Sequence, residues 1–116
     1  MSKTKIDRKS VYEKYGGRCA YCGRTIAFKD MQVDHFTPQI QYDDKKVEGD
    51  KDSPQNLMPS CRTCNHYKRD NSLEGFRKMV STIPKKLARD SYIYRVGMAY
   101  GFYNDTPKDI KFYFEQ

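Results

Sequence analysis

Two Cys-x-x-Cys pairs constrain the fold of this chain more than any other sequence feature. Cys19 and Cys22 form the first pair, Cys61 and Cys64 form the second, and 38 residues lie between them. Four thiolates in a 2+2 arrangement suit tetrahedral zinc, which then has no open coordination position and serves a structural role. The spacing exceeds that of a simple zinc ribbon. The pairs therefore predict a structural zinc ion that closes a long loop, with a folded segment inside the loop.

Disulfide bonds and a redox centre are the competing interpretations of the four cysteines. The basic residues 1–5 are not followed by the apolar segment of a secretory signal, and no run approaches the roughly 18 apolar residues of a membrane span. We therefore expect a cytoplasmic protein with reduced thiols and no membrane partner, in which cysteine pairs bind metal. A redox Cys-x-x-Cys would normally occur once, near a βαβ pattern, whereas this chain has two.

The composition favours one small basic domain. The chain has 116 residues, which fits a single domain over 1–116, and its hydrophobic content of 37% implies a modest core that a bound metal would help to stabilise. Lysine and arginine outnumber aspartate and glutamate by 22 to 15, which gives a formal charge of +7. Such a surplus favours a polyanionic partner, and nucleic acid is the commonest one.

Local patterns predict two strands and a helix around the cysteine pairs. Asp7 is suited to cap a first helix. Alternating apolar residues predict a strand over 31–36, and a second short strand is predicted over 56–59. The second cysteine pair then leads into a helix over about 62–70. The acidic segment 42–53 is predicted to be an exposed loop, because its spacing does not match a calcium-binding EF-hand.

The C-terminal third is predicted to be a helical extension. Ser72 is suited to cap one helix, and Pro84 suits the first turn of another that runs to about Tyr100. Alternation over 110–114 predicts a final strand. We expect this extension to pack onto the core, and the alternatives are a further nucleic-acid surface or a dimer contact. Helical spacing predicts that four residues of the second helix face inward: Leu87, Ile93, Val96 and Tyr100.

With the cysteines assigned to structure, the polar residues near them are the candidates for chemistry. The neutral imidazole of His35 can take a proton from water near pH 7, and the hard carboxylate of Asp34 suits a divalent ion. Three motifs occur in order, Cys-x-x-Cys at 19–22, Val-Asp-His-Phe-x-Pro at 33–38 and Asn-Leu-x-Pro-Ser-Cys-x-x-Cys-Asn-x-x-Lys at 56–68. Together they closely resemble the HNH endonucleases, also called ββα-metal or His-Me finger nucleases.

The resemblance implies an α+β fold. It covers roughly residues 11–70 and implies a small zinc-stapled ββα-metal finger, a two-stranded hairpin plus a helix, with flanking helices. The segment over about 72–116 would then be a C-terminal helix and strand extension, about which the family motif predicts nothing. Consecutive strand residues point to opposite faces, so Asp34 and His35 can reach one phosphate only through a local distortion or around the strand end.

The resemblance also implies catalytic roles. In that family, the residue that matches His35 is the general base, and the one that matches Asp34 holds a divalent ion, usually magnesium. Asn65 matches the third residue of the family motif, which is either histidine or asparagine, and this makes the chain similar to the HNN subtype. An amide oxygen as the second ligand favours Mg²⁺ or Mn²⁺. Asn56 matches the middle asparagine, which braces the loop that carries the base; the alternative is a plain turn residue. These roles imply single-metal hydrolysis of DNA.

Three residues of the helix predicted over about 62–70 are candidates for nucleic-acid contact. Lys68 and Arg69 share the helix face of Asn65 and either grip phosphate or remain solvated. His66 faces about 100° away from Asn65, which makes it a rival metal ligand or a surface histidine that contacts DNA. Double-stranded DNA, bound by a monomer or homodimer, is the expected partner. The alternative function is a non-catalytic zinc module that binds nucleic acid or protein, which the charge and the cysteines would serve equally well.

Overall fold

A computed structural model describes residues 6–104 and 108–116. The chain divides into two compact units. One unit comprises the chain up to Leu73 together with Lys111–Gln116, and the other comprises Glu74–Ile110. The single domain predicted over 1–116 stays a prediction, and the two units are described separately below. Within the described ranges, no helix combines the length and the apolar character that crossing a membrane requires.

The first helix forms where its cap predicts it. Helix α1 spans Arg8–Glu13, and the carboxylate of Asp7 accepts hydrogen bonds from the backbone amides of Lys9 and Ser10 at 3.1 and 3.3 Å. Gly16 and Gly17 follow with φ of 63° and 80°, a left-handed conformation that glycine adopts without a steric penalty. The chain therefore reverses sharply after α1 and delivers the first cysteine pair to the core.

The predicted α+β fold, with a two-stranded hairpin followed by a helix, is confirmed. Strand β1, Gln32–His35, pairs antiparallel with strand β2, Leu57–Ser60, so that His35 lies opposite Leu57. Helix α3, Arg62–Lys68, follows β2 directly. The loop between the strands contains a short helix α2 at Gln39–Asp43, which the sequence analysis did not predict. Its remaining residues include a 3₁₀ turn just before β2.

The predicted final strand is wrong. The backbone amides of Tyr113 and Phe114 donate to the carbonyls of Tyr21 and Ala20 at 2.9 and 2.8 Å, and the chain then ends in a 3₁₀ turn over Tyr113–Glu115. The alternating pattern has another cause. Phe112 and Phe114 stack at 6.3 Å and both pack edge-on against Tyr21. This C-terminal segment therefore completes the core around the first cysteine pair.

The second unit consists of helices, but their boundaries differ from the prediction. Helix α4 spans Leu73–Ser81, α5 spans Ile83–Asp90 and α6 spans Tyr92–Ala99. The single helix predicted to run to Tyr100 is wrong, because the Ser91 side chain accepts from the Tyr94 amide at 3.1 Å and caps a new helix.

This interruption also overturns the predicted inward face. The break at Ser91 leaves Leu87 in α5 and places Ile93 and Val96 in α6, so the predicted residues do not share one continuous helix. The ring of Tyr103 stacks on Tyr94 at 5.2 Å and approaches Gly97 too closely for a side chain at that position. The four residues predicted to face inward are instead exposed, at 43%, 80%, 37% and 79%, respectively: Leu87, Ile93, Val96 and Tyr100.

Candidate functional site

The four cysteines meet in one cluster. Their Sγ atoms all lie within 4.8 Å of one another. The first pair reaches β2 through the amide of Ala20, which donates to the carbonyl of Pro59 at 2.8 Å. Cys61 is the N-cap of α3, so its sulfur accepts from the Cys64 amide at 3.4 Å. The two cysteine pairs are therefore fixed by separate elements and present four soft donors to one point, which suits Zn²⁺.

The acidity of the thiols supports the same assignment. The pKa of Cys19 falls to about 4 because the Cys64 thiol donates a hydrogen bond to its sulfur. That shared hydrogen raises the pKa of Cys64 far above its usual range, and burial raises the pKa of Cys22. Four sulfurs at this spacing cannot all ionise unless a cation neutralises them. The cluster is thus suited to a divalent ion.

Zinc occupancy gives a direct prediction. We expect purified protein to carry one zinc ion per chain, measured by elemental analysis, because the donor set leaves room for one tetrahedral ion. Cys64→Ser should reduce that content strongly, since it removes one of the four sulfurs. Protein that is fully folded and free of zinc would contradict this assignment.

Four of the predicted site residues border one cleft. Asp34, His35 and Asn65 line a cavity of about 530 Å³, together with Gln39 and Arg69 among others. Asp34 lies inside β1, whereas His35 is its last residue, where the chain leaves the sheet. Two consecutive residues can therefore border the same cavity despite the strand alternation. His66, by contrast, is exposed and is not one of the described residues that line this cleft.

Asp34 is held in a buried polar network. Its Oδ2 accepts from the Tyr21 hydroxyl at 2.5 Å and lies 3.1 Å from Nζ of Lys68. Asp34 is 5% exposed. Burial and the negative charge of Asp34 raise the pKa of Tyr21, so the phenol stays protonated and acts as a donor. The other carboxylate oxygen, Oδ1, has no hydrogen-bond partner among the described residues.

The position of Lys68 corrects the sequence analysis. Both sequence interpretations, a phosphate contact and a solvated cation, require an exposed ammonium group. The Lys68 side chain is instead 0% exposed, and its Nζ also donates to the carbonyl of His35 at 3.2 Å. Lys68 points inward because α3 lies against β1, so the last turn of the helix delivers its side chain beneath the strand. Arg69 is exposed and borders the cleft, as an anion contact requires.

The imidazole of His35 contacts two side chains. Its Nε2 lies 2.7 Å from Oδ1 of Asp52, and its Nδ1 lies 3.4 Å from the amide nitrogen of Gln39. Sequence analysis missed Asp52, which was one of several acidic residues in a segment predicted to be an exposed loop. Nothing in the composition of that segment distinguishes Asp52 from its neighbours. Only the return of the chain toward β2 brings it to His35.

Asn56 joins the two ends of the loop between the strands. Its Oδ1 accepts from the Thr37 amide at 2.7 Å, and its Nδ2 donates to the carbonyls of Thr37 and Lys51 at 3.1 and 2.8 Å. Thr37 is two residues after His35, and Lys51 immediately precedes Asp52. One buried amide therefore fixes the backbone just after the histidine and just before its carboxylate partner. Asn65, on α3, makes no side-chain hydrogen bond to any other described residue.

Comparison with known proteins gives one family and several relatives. Residues 19–71 match the model of the HNH endonuclease family. The chain is 34% identical over 68 residues to the CRISPR-associated endonuclease Cas9 of Actinomyces naeslundii, and 28% identical over 67 residues to that of Corynebacterium diphtheriae. It is also 29% identical over 100 residues to protein ea31 of Escherichia phage lambda. No solved structure matches the chain.

These relatives are much longer than the matched segments. The alignments include 59% and 58% of this chain but only 6% of each Cas9. The alignment with ea31 includes 86% of this chain and 31% of the phage protein. The resemblance is therefore that of a domain, and it covers the hairpin, the cysteine cluster and the cleft.

Proposed function

Because residues 19–71 match the model of the HNH endonuclease family, we propose that this protein is a metal-dependent endonuclease that hydrolyses phosphodiester bonds of double-stranded DNA. The observation that carries this proposal is the cleft in which Asp34, His35 and Asn65 meet. Those side chains provide a proton acceptor and hard oxygen donors at one place, which is what hydrolysis of a phosphate ester requires.

We assign the roles from the contacts of each residue. His35 accepts the proton of the attacking water, because its ring borders the cleft and retains a nitrogen without a strong donor partner. Asn56 binds the backbone of Thr37, two residues after His35, and so fixes the position of the imidazole relative to the strand. Arg69 binds a phosphate oxygen beside the reacting ester, and His66 contacts the DNA backbone farther from the cleft.

Asp34 and Asn65 fit a magnesium or manganese ion. Both line the cleft, and each has a side-chain oxygen without a hydrogen-bond partner among the described residues. A carboxylate and an amide oxygen are ligands that these hard ions prefer. Such an ion, when bound, neutralises charge on the phosphate and on the leaving 3′ oxygen. The role of Tyr21 is to hold the Asp34 carboxylate in a fixed orientation.

A second function, a zinc module that binds nucleic acid without cleaving it, has one observation in its favour. The ammonium of Lys68 already balances the charge of Asp34 at 3.1 Å. A carboxylate with a resident counter-ion has less need of a divalent cation. The meeting of Asp34, His35 and Asn65 in one cleft has no role in such a module, and therefore the nuclease is the better-supported function.

A plasmid assay separates the two functions. We expect supercoiled DNA to be nicked or linearised with Mg²⁺ or Mn²⁺, and we expect no cleavage after brief addition of EDTA, because the oxygen ligands release a hard ion far more readily than four thiolates release zinc. Readdition of Mg²⁺ should restore activity. Binding of DNA without cleavage under any of these conditions would favour the non-catalytic module.

A further inference from the structure

The contact between His35 and Asp52 determines which ring nitrogen carries hydrogen. The distance of 2.7 Å from Nε2 to Oδ1 is that of a strong hydrogen bond, and the two side chains are only 14% and 19% exposed. A carboxylate can only accept, so Nε2 must donate. The amide nitrogen of Gln39 near Nδ1 is also a donor, at the weaker distance of 3.4 Å. Both neighbours thus favour the tautomer with hydrogen on Nε2 and a lone pair on Nδ1.

We propose that Asp52 is the positioning residue for His35, and that it fixes the imidazole so that Nδ1 is the atom that accepts a proton in the cleft. The inference deepens the proposed nuclease function and rests on it. A carboxylate behind a histidine base selects the tautomer, orients the ring and stabilises the imidazolium that forms after proton transfer. Asp52 itself is not among the described residues that line the cleft, so it acts only through His35.

The backbone around Asp52 is built to keep it in place. The amide of Asp52 donates to the carboxylate of Asp50 at 2.9 Å, and the preceding residue, Lys51, is bound through its carbonyl to Asn56 at 2.8 Å. Asn56 also binds Thr37, which is two residues after His35. A single buried amide therefore fixes the separation of His35 and Asp52. This bracing distinguishes the pair from an ordinary surface contact between two mobile side chains.

Nitrogen-15 NMR of the histidine rings tests the contact without any need for cleavage. The chain has two histidines, so His66 provides an internal reference. At a pH where both rings are neutral, we expect His35 to occur as the Nε2–H tautomer in the wild type and in Glu48→Ala, which removes an exposed acid from the same segment. Asp52→Ala should produce a mixture of tautomers, and Asp52→Asn, which keeps an acceptor oxygen, should restore the Nε2–H form. An unchanged His35 spectrum in Asp52→Ala would overturn the inference.

Cleavage kinetics then test the consequence for the reaction. Asp52→Ala should lower kcat by roughly 10- to 100-fold with little change in KM for DNA, the usual scale for loss of an outer partner at such a site. Asp52→Asn should recover part of that loss, and Glu48→Ala should match the wild type. An equal loss in both alanine variants, or a change confined to KM, would refute positioning. A wild type that never cleaves would refute the nuclease proposal, whereas the tautomer measurement would still decide whether Asp52 holds the ring.

Discussion

His35→Ala should lower the cleavage rate by about 10²- to 10⁴-fold, which is the range that a positioned general base contributes. The expectation follows from the location of the imidazole at the end of β1, where His35 lines the cleft and its Nε2 is bound to Asp52. Alanine leaves the oxygen ligands and the cysteine cluster in place. Water would still be polarised in the cleft, but no side chain would remove its proton. Single-turnover cleavage of a labelled duplex measures the chemical step directly.

His66→Ala is the matched control for this substitution. It removes the other histidine of the chain, from the exposed side of α3 and outside the cleft. We expect a rate close to that of the wild type, with some weakening of DNA binding. Zinc content and the affinity for DNA should be retained in His35→Ala. Full cleavage by His35→Ala would remove this residue from the mechanism, and equal losses in both histidine variants would point to a binding defect rather than to lost chemistry.

Short-range signals account for the parts of the fold that the sequence predicted. The Asp7 cap and the apolar alternation in β1 each depend on a few neighbouring residues. The cysteine spacing predicts that two segments come together around one metal ion. Helix α3 begins directly after Cys61, because the sulfur of this cysteine serves as the helix cap. These features do not depend on the rest of the chain, so local reasoning was sufficient to predict them.

The errors arose where contacts distant in sequence decided the structure. Alternating apolar residues near the C-terminus resembled a strand, but the rings of Phe112 and Phe114 pack on Tyr21, about ninety residues earlier. The break at Ser91 is the exception, because a local cap on the Tyr94 amide interrupts a helix that apolar spacing alone would continue. Asp52 is indistinguishable by composition from other acids of its loop, and Lys68 has the sequence context of a surface cation. Burial of these two residues follows from tertiary packing, which no local pattern encodes.

Lys68→Met should destabilise the first unit by about 3–5 kcal/mol, because it leaves a buried carboxylate without its counter-ion. Asp34 is 5% exposed and would retain only the Tyr21 hydroxyl as a partner on Oδ2. Methionine fills a similar volume, so the loss of charge and of the hydrogen bond to the His35 carbonyl dominates the effect. This loss is a large part of the roughly 5–15 kcal/mol by which domains are stable. Denaturant unfolding of the zinc-loaded protein, followed by circular dichroism, measures it.

A double-mutant cycle separates the ion pair from packing. Asp34→Asn in the Lys68→Met background removes the unpaired charge, and most of the lost stability should return, because a neutral amide is far less costly to bury than a carboxylate. Lys85→Met, which removes an exposed cation from α5, should change stability by no more than about 0.5 kcal/mol. If Lys68→Met were as stable as the wild type, or if the double variant were no more stable than the single one, the buried pair would not be what fixes Asp34 against α3.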